Sequence, residues 1–178
     1  MFSNIMKLTE FLQPENIHTG VFASSKKRAL ELIGKMVADS LNQQIECESE
    51  QQICSVACFS HLFQREKLGT TALNNGIALP HAKLPYHPDV RIEKPIAVFL
   101  QLDNPIDFEA DDHKEVDLIY AILFPEQVCS ELKGCLVDLA ERLSDKTLLK
   151  HLRSAENAED IWQILSYADQ HSEQSQES

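Results

Sequence analysis

The 178-residue chain has few basic residues and no long apolar run. It contains 16 Lys and Arg against 28 Asp and Glu, which gives a formal net charge of −12. Nucleic-acid binding depends on a basic surface that neutralises phosphates, so this class of function is not expected. No segment approaches the roughly 18 consecutive apolar residues of a membrane span. The amino terminus also lacks the charged and apolar regions of a secretory signal.

Several motifs that identify common chemistries are absent as well. The chain has neither a Walker A sequence nor a G-x-G-x-x-G loop to hold a nucleotide, and no G-x-S-x-G elbow for a nucleophilic serine. The acidic run at 107–115 lacks the alternating ligands and the glycine of an EF-hand loop. It is interpreted as a solvated loop, and the sequence predicts no cofactor and no metal.

The five cysteines are an odd number, which favours reduced thiols and a cytoplasmic location. Cys54, Cys58 and His61 recur at i, i+4 and i+7, so a helix would place them on one face where they could ligate a metal. No fourth ligand follows at a recognised zinc spacing. Burial of the thiols in an apolar core is therefore the favoured interpretation, and His61 is assigned to packing or to the surface.

Apolar residues at helical spacing predict helices at both ends of the chain. The first spans about 24–41, with Ser24 or Ser25 as its cap, and a second spans about 49–65. After the strands, three apolar stripes between residues 132 and 168 predict further helices.

The middle of the chain has the character of strands. Short strands are predicted at 70–73 and 77–79, around an Asn-Gly turn. The segments 95–102 and 116–125 are almost continuously apolar, which is typical of strands covered on both faces. The predicted fold is a single-domain α/β sandwich, with a mixed sheet flanked by helices on both faces.

The predicted domain covers residues 1–168. From residue 169 to 178 the chain has no apolar side chain, and this segment is predicted to be a disordered polar tail.

Among seven histidines, His81 has the most constrained backbone. It follows Pro80, which fixes its own φ and disfavours a helical conformation at Leu79. The chain should therefore run extended up to His81 and hold it at the rim of the sheet, where loops place reactive groups. Local sequence alone still leaves an incidental role open, because histidines are common in loops.

A longer motif resembles a known active site. The segment 65–84 reads REKLGTTALNNGIALPHAKL and is similar to the signature of the type-2 enzyme IIA components of the bacterial phosphoenolpyruvate-dependent phosphotransferase system, the fructose/mannitol class. Similarity extends over roughly residues 5–165 and includes VFLQLDNPIDF, VDLIYAILFP and RLSDKT. These outlying segments resemble the nitrogen-regulatory branch of that class.

The resemblance implies a phosphohistidine at His81, because this residue matches the Pro-His position of the family. Arg65 matches the active-site arginine, whose guanidinium suits phosphate oxygens. Thr70 and Thr71 occupy the hydroxyl positions before the turn, where they could bind phosphate or orient the ring. Asn75 and Lys83 are further candidates for phosphate binding.

The implied role is that of a phosphocarrier and regulator in the cytoplasm. An HPr-like histidine phosphocarrier of the nitrogen branch would phosphorylate His81, and the phosphorylation state would regulate target proteins such as kinases or transporters. The protein would form a phosphohistidine intermediate without being a stand-alone enzyme. No nucleic-acid partner and no membrane insertion is expected. The alternatives are a sugar-transport IIA that passes phosphate to a IIB domain, and a binding module that has lost phosphotransfer.

Four residues depart from the family pattern. Ala72, Asn74 and Ala82 stand where glycines are commoner, and the two alanine methyl groups could narrow the approach to His81. A second active-site histidine, carried by many members on the helix after the last strand, is replaced by Gly134 or a neighbour. These departures motivate the non-transferring alternative.

Overall fold

The computed structural model describes residues 6–45, 52–88, 90–126 and 132–174. A mixed sheet lies between two helical layers, so the predicted α/β sandwich is confirmed. None of the helices within these ranges is long and apolar enough to cross a membrane. The elements follow the order β1 (Leu12–Val21), α1 (Lys26–Ile45), α2 (Ser55–Lys67), β2 (Ile77–Ala78), β3 (His81–Lys83), β4 (Ile96–Ile106), β5 (Val116–Phe124), α3 (Leu132–Arg142), α4 (Lys146–Ser154) and α5 (Ala158–Gln174).

The sheet places β2 and β3 one after the other along the same side of β5. Its order is β1-β4-β5-β2, and β3 also pairs with β5. β1 runs parallel to β4, and β4 runs antiparallel to β5. β2 and β3 both run parallel to β5, with Ile77 opposite Leu118 and His81 opposite Ile122. His81 therefore begins a short strand at the edge of the sheet.

The two central strands are buried on both faces, as their continuous apolar runs predict. Val98 and Ile119 pack with α1 and α2 in one core, whereas Phe99 and Tyr120 pack with α3, α4 and α5 in the other. This alternation follows from the two-residue period of a strand. β4 is longer than predicted, because it continues beyond residue 102, the predicted end, to Ile106.

A strand that was not predicted, a predicted strand that does not form and the start of the second helix differ from the sequence-based expectations. β1 was not predicted, because only part of its length is buried and exposed Pro14 and Glu15 interrupt the pattern. Residues 70–73 form no strand and contribute only an isolated bridge between Ala72 and Ala78. The second helix begins at Ser55; of its predicted start, residues 52–54 are not helical and 49–51 lie outside the described residues.

The predicted disordered tail is wrong for residues 169–174, because α5 continues to Gln174. Asp169 is 5 % exposed and accepts hydrogen bonds from the amide of Leu8 (2.7 Å) and from the amide and hydroxyl of Thr9 (3.1 and 2.8 Å). Arg142 forms an ion pair with the same carboxylate at 2.8 Å. Through these contacts, the buried carboxylate of Asp169 holds the last helix against the amino-terminal segment. Residues 175–178 lie outside the described ranges.

The helix that carries Arg65 approaches α1 closely at Gly34. A Cβ atom at this position would lie 2.9 Å from the amide nitrogen of Phe59 and 2.9 Å from the carbonyl oxygen of Ser55, both in the backbone of α2. Neither atom can move without shifting the helix. A glycine here lets α1 and α2 pack at short range and so sets the position of α2 over the sheet.

We predict that Gly34→Ala lowers the free energy of unfolding by about 1–3 kcal/mol, because the added methyl group overpacks the interface. Gly134→Ala is the matched control, since nothing lies within 4 Å of a Cβ there and alanine is the better helix former by about 1 kcal/mol. Urea denaturation of both variants should give opposite signs, and equal destabilisation would contradict the close approach.

We also predict that Asp169→Ala destabilises the protein by about 3–5 kcal/mol, because it leaves Arg142, whose side chain is 13 % exposed, without its ion-pair partner. Asp39 lies on α1 with its side chain exposed, so the control Asp39→Ala should change stability by less than about 0.5 kcal/mol. Thermal and chemical denaturation measure both values. An Asp169→Ala protein as stable as the control would show that the last turns of α5 are dispensable.

Candidate functional site

His81 has a defined tautomer in the structure. Its ring nitrogen Nδ1 lies 2.9 Å from the carbonyl oxygen of Leu79. A carbonyl only accepts hydrogen bonds, so Nδ1 carries the proton and donates it. In the neutral ring, Nε2 then holds the lone pair. The local backbone thus selects Nε2 as the nucleophilic atom.

The pKa of His81 is lowered from its ordinary value of 6.5, chiefly because the ring is desolvated by burial. The positive charge of Arg65 lowers the pKa further, whereas the hydrogen bond to Leu79 and the charge of Glu66 raise it. A lowered pKa means that the ring is neutral, and its Nε2 lone pair available, at pH 7.

Arg65 lies in the last turn of α2, where its Nη1 donates to the carbonyl oxygen of Gly69 at 3.0 Å. A guanidinium has five N–H groups, so this bond leaves donors for phosphate oxygens. The positive charge of Arg65 acts on the imidazole, since it lowers the pKa of His81. The structure thus brings together the predicted acceptor and the predicted phosphate-binding cation.

Glu66, the next residue, is buried, with 6 % of its surface exposed. Its carboxylate pairs with Lys26 Nζ at 2.9 Å. It also accepts hydrogen bonds from the amide of Thr71 at 2.9 Å and from the hydroxyl of Thr71 at 2.6 Å. A buried charge needs such a complete set of partners.

A continuous chain of hydrogen bonds connects this carboxylate to His81. Glu66 holds the amide of Thr71, and the carbonyl of Thr71 accepts from the amide of Leu79 at 2.9 Å. The carbonyl of Leu79 in turn accepts from His81 Nδ1. Glu66 therefore fixes, through the backbone, the carbonyl that sets the tautomer and orientation of the imidazole.

The two threonines hold the backbone before β2 in place, and the structure does not support them as hydrogen-bond donors to phosphate. The hydroxyl of Thr71 donates to Glu66, and that of Thr70 donates to the carbonyl oxygen of Phe108 at 2.5 Å. A hydroxyl has one proton to donate, and in both residues it is already used. The threonines thus shape the segment between α2 and β2.

Lys83 and Asn75, the other predicted supporting residues, have different positions. Lys83 is exposed on β3 two residues after His81, so both side chains leave the strand on the same side. Asn75 precedes Gly76, whose carbonyl accepts from the amide of Asp117. His81 pairs five residues further along β5, which is about 16 Å away. The structure therefore brings Lys83 to the site and leaves Asn75 outside it.

His61 has a contact that the sequence did not reveal. Its Nδ1 donates to the carbonyl oxygen of Lys83 at 2.8 Å and so ties α2 to the edge strand. The only feature of the sequence that could have indicated this contact is that His61 lies one helical turn before Arg65.

Cys58 is fully buried, and burial raises the pKa of its thiol to about 12. Among the described residues, no three His, Cys, Asp or Glu side chains are grouped to hold a metal ion.

Three of the four departures from the family pattern have surroundings that the structure describes. Ala82 packs against the core beneath α1 and α2, and alternation along β3 directs His81 to the other side. The left-handed residue of the turn is Asn75, with φ 72°, followed by Gly76 at 84°, so Asn74 needs no special conformation. Gly134 is exposed, with open space where a Cβ would stand.

These features agree with comparisons to known families. The family model for the phosphoenolpyruvate-dependent sugar phosphotransferase system EIIA 2 matches residues 10–168. The chain belongs to this family of type-2 enzyme IIA proteins. The likeness to IIA mannitol of Escherichia coli, with a TM-score of 0.65 and 20 % identity over 86 % of this chain and 97 % of that one, concerns the fold.

Within the family, the chain is similar to nitrogen regulatory proteins. It is 51 % identical over 165 residues to a "Nitrogen regulatory protein homolog" of Haemophilus influenzae, covering 93 % of this chain and 94 % of that protein. It is 35 % identical to the "Nitrogen regulatory protein" of Escherichia coli K12, covering 90 % of each. The crystal structure of IIA-Ntr from Neisseria meningitidis superimposes with a TM-score of 0.72 at 32 % identity, over 89 % of this chain and 98 % of that one.

We predict that Arg65→Gln raises the pKa of His81, because it removes the positive charge that opposes protonation. Arg28→Gln is the control, since Arg28 is exposed and pairs with Glu31 at 3.0 Å. An NMR titration of the His81 ring measures both variants. A pKa that is unchanged or lower in Arg65→Gln would show that Arg65 does not act on the imidazole.

Proposed function

We propose that this protein is a nitrogen-regulatory phosphocarrier of the cytoplasm, in which His81 accepts a phosphoryl group from an HPr-like histidine phosphocarrier. The observation that carries the proposal is the hydrogen bond from His81 Nδ1 to the carbonyl oxygen of Leu79, which leaves Nε2 as the nucleophile. The charge of Arg65 also acts on this ring. Family membership and the similarity to nitrogen regulatory proteins support the same assignment.

In the proposed phosphoryl transfer, one phosphorus–nitrogen bond forms as another breaks, and residues of this site stabilise the charges that develop. The Nε2 lone pair attacks phosphorus as the phosphorus–nitrogen bond of the donor's phosphohistidine breaks, and the donor imidazole keeps the electron pair. Nδ1–H stays bonded to Leu79, whose carbonyl stabilises the positive charge that develops on the His81 ring. Arg65 and Lys83 offset charge on the phosphoryl oxygens, and positioning of this kind provides most of the catalysis in phosphoryl transfer.

Phosphorylation would change the surface that partners meet. A phosphoryl group adds about −1.5 to −2 charges at pH 7, here at an edge strand beside an exposed lysine. A protein that docks on this edge by charge would gain or lose affinity accordingly. We propose that regulated targets such as kinases or transporters distinguish the two states in this way.

We predict that His81→Ala abolishes labelling by phosphoenolpyruvate, enzyme I and a nitrogen-branch phosphocarrier, whereas Arg65→Gln slows it about 10²-fold by removing one charged donor. His113→Ala, at an exposed histidine, is the matched control and should label normally. The pH at which the wild-type rate has fallen by half should lie below 6.5, the ordinary pKa of histidine. The rate should fall as the pH passes through the lowered pKa of His81, because protonation removes the nucleophile.

Other labelling results would point elsewhere. Labelling of His81→Ala as fast as wild type would refute the site. No labelling of the wild type, combined with partner binding that is indifferent to His81→Asp, would favour the non-transferring module. Rapid passage of the label to a purified fructose or mannitol IIB domain would favour a sugar-transport role.

A further inference from the structure

A long groove lies on the helical face formed by α4 and α5, apart from His81. Its volume is about 790 Å³. Its apolar lining comes from Leu8, Leu148, Ala155, Ile164 and Ala168, with Tyr167 standing at the rim. Tyr167 is 63 % exposed, a large fraction for an aromatic side chain, and makes an edge contact with the His171 ring at 4.1 Å.

Regular helical spacing makes the groove straight. On α5 the lining residues recur at i, i+3, i+4, i+7 and i+8, from Asp160 to Ala168, and the groove reaches on to His171. Along α4 they recur at i, i+1, i+4, i+7 and i+8, from Thr147 to Ala155. At 1.5 Å per residue, the stretch from Asp160 to His171 is about 17 Å long. This is the length of three turns of a helix.

The charged side chains that line the groove are mostly negative. Glu141, Asp145 and Asp160 contribute three carboxylates to its lining. Among the described residues that line it, Arg142 is the only Lys or Arg, and its guanidinium is already paired with Asp169 and bonded to the carbonyl of Met6. Asp145 accepts hydrogen bonds from the amides of Thr147 and Leu148, and Asp160 from that of Glu156. The apolar floor is therefore bordered by carboxylates that bond to backbone amides and leave the groove with a net negative charge.

We propose that this groove binds a basic amphipathic helix of a partner protein. An apolar floor between two helices accepts side chains at i, i+3, i+4 and i+7, and the carboxylates favour lysine or arginine at the edges. A second copy of this chain is a poor occupant, because each copy carries a net charge of −12. Anionic ligands are disfavoured by the same three carboxylates.

The groove is a second surface, distinct from the phosphoacceptor site. Neither His81, Arg65 nor Lys83 lines it. The helix partner would therefore bind whether or not His81 can be phosphorylated. This inference does not rest on the proposed phosphocarrier function and can fail or succeed without it.

The test uses a synthetic peptide of about four helical turns, with leucine at i, i+3, i+4 and i+7 and lysine at the other positions. Two control peptides carry glutamate in place of lysine, or the same composition in scrambled order. Fluorescence anisotropy at physiological salt measures affinity for the full chain, and amide NMR shifts locate the contact. We expect the lysine peptide to shift residues of α4 and α5 and to bind at least about tenfold more tightly than either control.

Two variants test the residues themselves. Tyr167→Ser should weaken binding about tenfold, as loss of an interface aromatic does, and Glu141→Lys should weaken it several-fold. Their matched controls are Phe22→Ser, where the side chain is 64 % exposed, and Glu15→Lys, at an exposed position of β1. Both controls and His81→Ala should bind as wild type does.

Several results would overturn the proposal. These are equal binding of the glutamate or scrambled peptide, shifts confined to residues outside α4 and α5, equal weakening by the control variants, and loss of binding in His81→Ala. Concentration-dependent dimerisation that Tyr167→Ser abolishes would overturn it in favour of a second copy as the occupant.

Discussion

The buried carboxylate of Glu66 is the constraint on which the site depends. It lies where α2 ends and the chain turns towards the sheet, and it joins three parts of the chain: α1 through Lys26, α2 through its own backbone, and the following segment through Thr71. Such a charge is stable only while all its partners are present. Consequently α1, α2 and the segment leading to β2 and β3 must adopt one relative arrangement.

This constraint explains how adjacent residues serve opposite purposes. Arg65 and Glu66 lie about 100° apart around the helix axis. The side chain of Arg65 stays at the helix end, bonded to Gly69, while that of Glu66 is buried. The buried member holds the backbone that sets the tautomer of His81. The partly exposed member lowers the pKa of the same ring. A helix end is suited to this, because its last turn passes directly into the segment that must be held.

The sequence predicted those parts of the structure whose causes are local. The central strands were recognised because burial on both faces leaves an uninterrupted apolar run. Of the two predicted cap residues, Ser24 and Ser25, it is Ser25 whose hydroxyl oxygen accepts from the amide of Arg28. β1 was missed because exposed polar residues interrupt it. The last turns of α5 were missed because Asp169 finds its partners at Leu8 and Thr9, at the far end of the chain.

The same distinction applies to the site. Pro80 and the preceding apolar residues mark His81, but nothing local connects it with Arg65; that connection came from the family resemblance. The threonines look like phosphate donors in the sequence, and only the positions of Glu66 and Phe108 show that their protons are used. A residue type thus indicates what a side chain can do, whereas its partners across the fold determine what remains for it to do.

The two surfaces of this fold differ in how they can respond to phosphorylation. The edge strand carries the proposed acceptor, His81, so a charge placed there acts directly on any protein that docks beside it. The α4–α5 groove is lined by neither His81, Arg65 nor Lys83, and the close-packed interior between the two surfaces does not deform gradually. A charge at His81 therefore need not alter the groove. A partner that used the groove for affinity and the edge strand for discrimination would stay bound in both states and still sense the difference between them, which is what a regulator requires and a simple phosphate relay does not.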